Sequence, residues 1–419
     1  MFIPDSPTAI KVYEQKNAIN KDAALGSYYI SAEKYESLRG FEIFPNDIIV
    51  SCAGTIGETY VMPETMRKGI INQALMKISL YDLGIMDFYL IYFDCQLKNA
   101  AREQGHGVAL KNIPPFDVLK KYLVPIPPIQ EQGRIVQAVS HLLGTVNSID
   151  IARDKFIDLV GNTKSKILDL AIRGQLVPQD PSDEPASVLL ERIRAEKEEL
   201  IKQGKIKRDK KESVIFRGED NSYYEKIGIE TICIDDQLPF EIPQAWHWAR
   251  ISTIGLINPR NSLADHTEVS FVPMPLIQDG YSNAHTFDTR NWKDVKTGFT
   301  HFAENDVGVA KITPCFENRK SAVFKNLCNG FGAGTTELHI IRTIDNMVYP
   351  EYLLWCLKTD SFISGGINAF SGAVGQKRIG KDFISDYLIP IPPREEQDRI
   401  IKKINEIFSF VSHIEKSLS

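Results

Sequence analysis

The sequence predicts an α+β chain made of two copies of one module, each followed by a long amphipathic helix, the two helices packing on each other. Three observations carry this. A proline-rich motif occurs twice, as L-V-P-I-P-P-I-Q-E-Q-G-R-I at 123–135 and L-I-P-I-P-P-R-E-E-Q-D-R-I at 388–400, an offset of 265 residues. A helical apolar pattern follows each motif in the same register. Weaker matches run upstream of both. Repeats of this kind are sought first because missing one misassigns the fold.

Within the motif Leu123, Pro125, Ile126, Pro127, Pro128, Glu131, Gln132, Arg134 and Ile135 all recur. Upstream, Asn46-Asp47 before an apolar run matches Asn305-Asp306, Val108, Lys111 and Ile113 match Val374, Lys377 and Ile379, and 87–93 matches 350–356. Each module mixes short β-type runs, such as Ile48 to Gly54 and Asp306 to Lys311, with helices, over roughly 125–150 residues.

Pro127-Pro128 suits entry into a first helical turn, where an amide proton would be unpaired anyway. Glu131 complements the positive helix end. Apolar residues then fall at Ile135, Val139, Leu142, Val146 and Ile149, continuing to Phe156, Val160 and Ile167. In the second copy they fall at Ile400, Ile404, Ile407, Val411 and Ile414. Alternating steps of four and three mark a helix seam, and these two sets are expected to form it. The first helix is expected over 128–174, about 65–70 Å at 1.5 Å per residue. Between the copies, 175–240 reads as a charged helix (Ser187 to Lys211) and an irregular linker from Gly218 to Leu238, with Pro243-Gln244-Ala245-Trp246 opening the second module. The basic run Lys205, Lys207, Arg208, Lys210 and Lys211 reads as a solvated linker face.

Composition bounds the function. The 419 residues are 43% hydrophobic and 25% charged, as in globular proteins. No apolar run approaches the roughly 18–20 residues of a membrane-crossing helix, and no basic region followed by an apolar stretch marks a signal peptide. Six scattered cysteines without a C-x-x-C pair disfavour a zinc site or disulfide framework and suit a reducing cytosol. The net charge of −5 excludes a uniformly basic protein, but not a basic face.

Enzymatic signatures are weak. Asn112-Ile113-Pro114-Pro115-Phe116 is close to the Asn-Pro-Pro-aromatic signature of amino-group methyltransferases, yet an inserted residue displaces the Asn and no glycine-rich cofactor loop accompanies it. The glycine-rich run 329–336 lacks G-K-[ST] and is no phosphate loop. Pro4-Asp5 with Glu14-Gln15-Lys16 matches a nuclease pattern only by short spacing. The eight histidines show no zinc-ligand spacing, and His247, between Trp246 and Trp248, reads as a packing or surface residue. No catalytic, cofactor-binding or metal residue is expected.

The duplicated P-I-P-P-x-x-E-Q-x-R-I motif, the heptad helix, and Ala171-Ile172-Arg173-Gly174-Gln175-Leu176 followed by Asp183-Glu184-Pro185-Ala186 together resemble the specificity subunit of type I restriction-modification systems. That resemblance, over essentially the whole chain, implies two target recognition domains (1–127 and 241–392), joined by spacer helices at 128–174 and 393–419. The helices would form an antiparallel coiled coil with pseudo-two-fold symmetry. It implies a double-stranded DNA partner with a bipartite, asymmetric target, two docked methyltransferase subunits, and restriction subunits. It also implies a cytoplasmic location and no cofactor on this chain, with S-adenosylmethionine, ATP and Mg on the partners. Two departures stand out. The first copy lacks an opening Pro-x-x-Trp segment, so it is expected to start late, and the second helix is much shorter than the first.

Base edges suit Arg, Lys, Asn and Gln, and phosphates suit the basic ones. The expected DNA-facing residues are Lys111-Asn112 and, at the equivalent place, Gln376-Lys377-Arg378, with Lys311, Arg319, Lys320, Arg290 and Lys293 as further basic points. Two other readings stay open on the residues. A fused methyltransferase or nuclease would bind cofactor or turn over alone, and a coiled-coil scaffold would show no salt-dependent DNA affinity.

Overall fold

Asn46 and Asn305 both adopt a left-handed backbone, at φ 67° and 68°, and the chain is wired identically around them. The Asn46 amide donates to Met62 O and the Met62 amide to Asp47 O, each at 2.8 Å; Asn305 and Phe324 repeat this around Asp306 at 2.8 and 2.9 Å. The following aspartate turns back in both copies, Asp47 accepting the Phe44 amide (2.8 Å) and Asp306 the Ala303 amide (2.7 Å). An asparagine tolerates this conformation where most side chains do not. The dipeptide repeat seen in the sequence is therefore a repeated turn that starts a buried strand.

The computed structural model describes residues 2–52, 55–103, 119–208, 212–372 and 376–418. It divides into two units, Met1–Ile151 and Ala152–Ser419.

The first unit contains β1 (Ile10–Tyr13), β2 (Tyr29–Ile30), β3 (Glu42–Ile43), β4 (Ile48–Ser51), β5 (Thr59–Val61), β6 (Gly69–Ile71) and β7 (Leu75–Ile78). They form two sheets, β2-β1-β6-β3 and β5-β4-β7, with β1 and β6 parallel and the other pairings antiparallel. Helix α1 (Met86–Glu103) lays Phe93 on Ile48 and Val50 of β4. The last element to begin in this unit is α2 (Ile129–Ile172), a 44-residue helix that continues into the second.

The second unit opens with the end of α2, closed by Gly174. The Gly174 amide donates to Ala171 O and the Gln175 amide to Leu170 O (3.2 and 2.9 Å), the paired bonds of a glycine helix stop. Gly174 sits at φ 67°, and a Cβ there would lie 2.4 Å from Pro243 Cγ; glycine is required on both counts. Then follow α3 (Ala186–Lys202), the antiparallel meander β8 (Ser213–Arg217), β9 (Tyr223–Ile227) and β10 (Glu230–Cys233), and β11 (His247–Arg250). The meander corrects the irregular linker expected over 218–238. Tyr223 to Ile227 is a short strand that turns back at Gly228 (φ 61°), and its Glu225 is buried against Arg250; a charged residue on the inner face masked the alternation.

The rest repeats the first unit. Strands β12 (Gly255–Ile257), β13 (Glu268–Val272), β14 (Asp288–Asn291), β15 (Thr300–Ala303), β16 (Val307–Ala310), β17 (Ser321–Val323), β18 (Phe331–Gly334) and β19 (Leu338–Thr343) form sheets β14-β13-β18-β15 and β12-β19-β16-β17. The first has the strand order and directions of β2-β1-β6-β3, including the parallel central pair. The second adds β12 to the pattern of β5-β4-β7. Helices α4 (Pro350–Leu357), α5 (Asp360–Asn368) and α6 (Lys381–Asp386), strand β20 (Leu388–Ile391, antiparallel to β11) and α7 (Arg394–Leu418) complete the chain.

Helix α7 runs antiparallel to the second half of α2. Ion pairs join Arg399 to Asp183 beyond one end and Glu415 to Lys164 at the other. Ile400, Ile404 and Phe408 share one core with Ile167, Leu168, Ala171 and Ile172, and Trp355 of α4 packs edge-on to Phe408. At the head of α7 Glu396, almost wholly buried, accepts the Trp246 indole N–H at 2.9 Å and the Gln179 amide. Burial pushes its carboxyl above the ordinary range, against those two hydrogen bonds.

This seam corrects the expected one. Leu142, Val146 and Ile149 are 63%, 54% and 61% exposed, Ile135 and Val139 are half-buried, and α2 contributes its later residues instead. The reason is geometric. Two antiparallel helices rise equally per residue, so α7, starting beside the end of α2, reaches back only to about Lys164. On α7 itself Ile400 and Ile404 are buried, Ile407 and Val411 half-buried and Ile414 largely exposed.

All four tryptophans lie in the second unit, so their fluorescence reports its unfolding. Ile404→Ala is expected to destabilise that transition by about 2–5 kcal/mol, while Val146→Ala changes it by less than about 0.5 kcal/mol. Denaturant titration of both variants checks the register.

Candidate nucleic-acid interface

The strongest expected cluster is built by backbone pairing. Arg378 bridges antiparallel to both Ile312 and Ser371. The Thr313 amide donates to Lys377 O at 3.0 Å, the Ile379 amide to Lys311 O at 2.9 Å, and the Lys311 amide to Glu337 O at 2.9 Å. Lys311, Gln376, Lys377 and Arg378 are thereby brought to one surface of the second unit. Gln376 and Lys377 are exposed. Arg378 forms a bidentate pair with Glu337, Nε and Nη2 each 2.9 Å from a carboxylate oxygen. That hydrogen bonding holds the Glu337 carboxyl below its ordinary range, and an ion pair at the surface contributes little to stability. Glu337 fixes the direction of the guanidinium and offsets its charge, leaving Lys377 as the exposed cation of the group.

The other expected residues separate. Arg319 donates to Lys358 O at 3.0 Å, pairs with Asp360 and lies over the Tyr281 ring. Lys320 donates to Ile277 O at 3.0 Å. Both are occupied inside the domain, and phosphate would have to displace those partners. Arg290 on β14, in the other sheet, is exposed with its guanidinium 3.7 Å from the Phe271 ring centroid, and Lys293 is exposed in the short helix that follows it. Lys111 and Asn112 lie outside the described residues. Arg208 of the basic run pairs with Glu198 through two bonds of 2.6 Å.

Sequence reasoning missed Lys358. It is fully buried and donates to Gly280 O (2.7 Å) and Arg319 O (2.8 Å), the carbonyls of two left-handed residues. Its neighbour Arg319 is thus held from behind. An apolar run on either side, Trp355-Cys356-Leu357 before and Phe362 after, was the available signal. Among the described residues no group of three or more His, Cys, Asp or Glu could hold a metal ion, and no helix is long and apolar enough to cross a membrane.

The molecule so described is a duplicated α+β domain, each copy leading through a proline-rich motif into a long helix, with a basic loop beside the preceding sheet in the second copy. A family model described as the type I restriction modification DNA specificity domain matches residues 8–152 and 296–419, and the chain belongs to that family. It is 44% identical over 263 residues to the type I restriction enzyme EcoAI specificity subunit and, at the same identity and length, to the EcoEI specificity subunit, both from Escherichia coli. Each match covers 62% of this chain but only 42% and 41% of the relative's length. A chain from a solved type I restriction-modification complex, described in terms of complex assembly and conformational transition, superposes with a TM-score of 0.54 at 15% identity, over 90% of this chain and 77% of that one; it shares the fold.

Burial depresses the Lys358 ammonium to about 7 from an ordinary 10.5. Between those values the unfolded chain binds the proton and the folded chain does not, so stability rises with pH across that window and is lowest below it. Tryptophan-monitored unfolding from pH 7 to 9.5 is expected to show this rise, and Lys358→Met to flatten it.

Proposed function

We propose that this chain is the DNA-specificity subunit of a type I restriction-modification system. Each module reads one part of a two-part, asymmetric target in double-stranded DNA, and the paired helices offer docking surfaces to two methyltransferase subunits, with restriction subunits joining the assembly. Base flipping and methyl transfer belong to the S-adenosylmethionine-binding partners; this chain contributes no active site, and the system works in the cytoplasm. The observation that carries the reading is the duplicated wiring: the same sheets, the same Asn-Asp turn and the same closing motif occur twice, while the loops on them differ. Two unlike readers on a repeated scaffold suit an asymmetric target with a gap set by protein geometry, on the logic of half-site spacing in dimeric readers.

Cells expressing the chain with its methyltransferase partner are expected to carry methylation at a two-part motif with a constant gap; absence of any methylated motif, or one continuous palindrome, contradicts the reading. For the assembled complex, Lys377→Ala is expected to weaken binding to all DNA sequences and to lower the slope of log affinity against log salt by about one. Arg319→Ala, whose guanidinium is already occupied, leaves that slope unchanged.

A further inference from the structure

In each unit a three-residue turn carries the chain from one sheet to the other, 72–74 between β6 and β7 and 335–337 between β18 and β19. The two turns are wired alike. The Asn72 amide donates to Tyr13 O at 3.0 Å and the Thr335 amide to Val272 O at 3.4 Å; Ala74 O accepts the Cys52 amide at 3.0 Å and Glu337 O the Lys311 amide at 2.9 Å. Unlike side chains make the same internal cap: Asn72 Oδ1 accepts the Ala74 amide at 3.1 Å, and Thr335 Oγ1 accepts the Glu337 amide at 3.2 Å. The first residue of each turn is therefore committed to the turn itself. The middle residue, Gln73 or Thr336, is exposed, and among the described residues its side chain has no hydrogen-bond partner.

In the second unit this turn belongs to the basic surface, because Glu337 pairs with Arg378 and holds Lys311 through its carbonyl. At the matched places of the first copy the sequence has Ala74 and Asn112. The anion and the guanidinium are both absent there, so the pair has changed as a unit. The frame of the turn is constant, and its exposed middle side chain differs between the copies.

We infer that Gln73 is a base-selecting residue of the first module, and that it selects an A·T pair by presenting its side-chain amide to the adenine edge in the major groove. A primary amide sets one donor and one acceptor side by side, the complement of adenine N7 and N6–H, and such a bidentate contact discriminates strongly against the other bases. A turn held by backbone bonds on both sides gives that side chain a fixed origin, whereas cations on phosphate add affinity without sequence choice. Thr336, with a single hydroxyl and a methyl group, stands at the same place in the second module and suits a different base edge, which keeps the two parts of the target unlike. This assignment deepens the reading of the chain as a DNA-specificity subunit and rests on it.

The test uses the chain assembled with its methyltransferase partner, which selects bound duplexes from a library in which the wild-type motif is varied one base pair at a time. Gln73→Ala is expected to reduce the preference at one A·T pair, in one part of the motif, by about tenfold or more, with the other part read as before. Thr336→Val is expected to change preference in the other part only. Both side chains are exposed and outside the bonds that hold the turns, so the variants fold. If the wild-type complex selects no two-part motif, the functional reading itself fails and the assignment with it. If that motif is selected and Gln73→Ala leaves every base preference unchanged, weakens binding uniformly or relaxes a G·C pair, the assignment fails while the reading stands. Relaxation of the same part by both variants overturns it equally.

Discussion

The apolar face of α7 must be covered, and the way it is covered organises the second unit. A 25-residue helix with isoleucines at 400, 404, 407 and 414 is unstable alone in water. It lies in a slot between the final turns of α2 and the apolar helix α4, and its first turn is tied down by Glu396, buried beneath the Trp246 indole. A buried carboxylate without partners would cost several kcal/mol; here the indole, the Gln179 amide and the nearby Arg399 guanidinium offset part of it. The Pro-x-x-Trp segment, the Gly174 stop and the closing motif are therefore one device: each is positioned by the others, and the sheets of the second unit are hung from it.

Duplication let one solution be tuned twice. The position opposite the buried aspartate of the Asn-Asp turn is Ser79 in the first copy and Arg342 in the second, and both bond to it. Burial still raises the Asp306 carboxyl above its ordinary value despite the guanidinium. Either partner satisfies the same acceptor, so the turn survives while the charge of the surrounding surface changes. Scaffold and surface can thus diverge independently.

The repeat, its Asn-Asp dipeptide included, and the helix over 129–172 were legible because they rest on local chemistry, proline at a helix entry and a heptad stripe; that the dipeptide is a left-handed turn was not. The seam partner was not. A stripe on α2 extends over residues 135 to 167, and only the end-to-end geometry with α7 decides which part is covered. The β8–β10 meander was hidden because Glu225 points inward to meet Arg250, which a hydrophobic pattern cannot anticipate. In the basic cluster, Lys377 was nameable from its position matched to Lys111, but Glu337, which neutralises Arg378, lies 41 residues away in sequence and enters only through strand pairing. Arg319 and Lys320 looked like surface cations for the same reason: their carbonyl partners are invisible along the chain.

The second unit depends on α7 covering the later residues of α2, while Leu142, Val146 and Ile149 stay exposed. Residue-resolved hydrogen exchange of the purified chain tests this directly. Amides of 160–172 and 396–408 are expected to exchange at the rate of the global unfolding of the second unit, with those of 135–149 exchanging much faster. Equal protection along the whole of α2, or the reverse order, would contradict it.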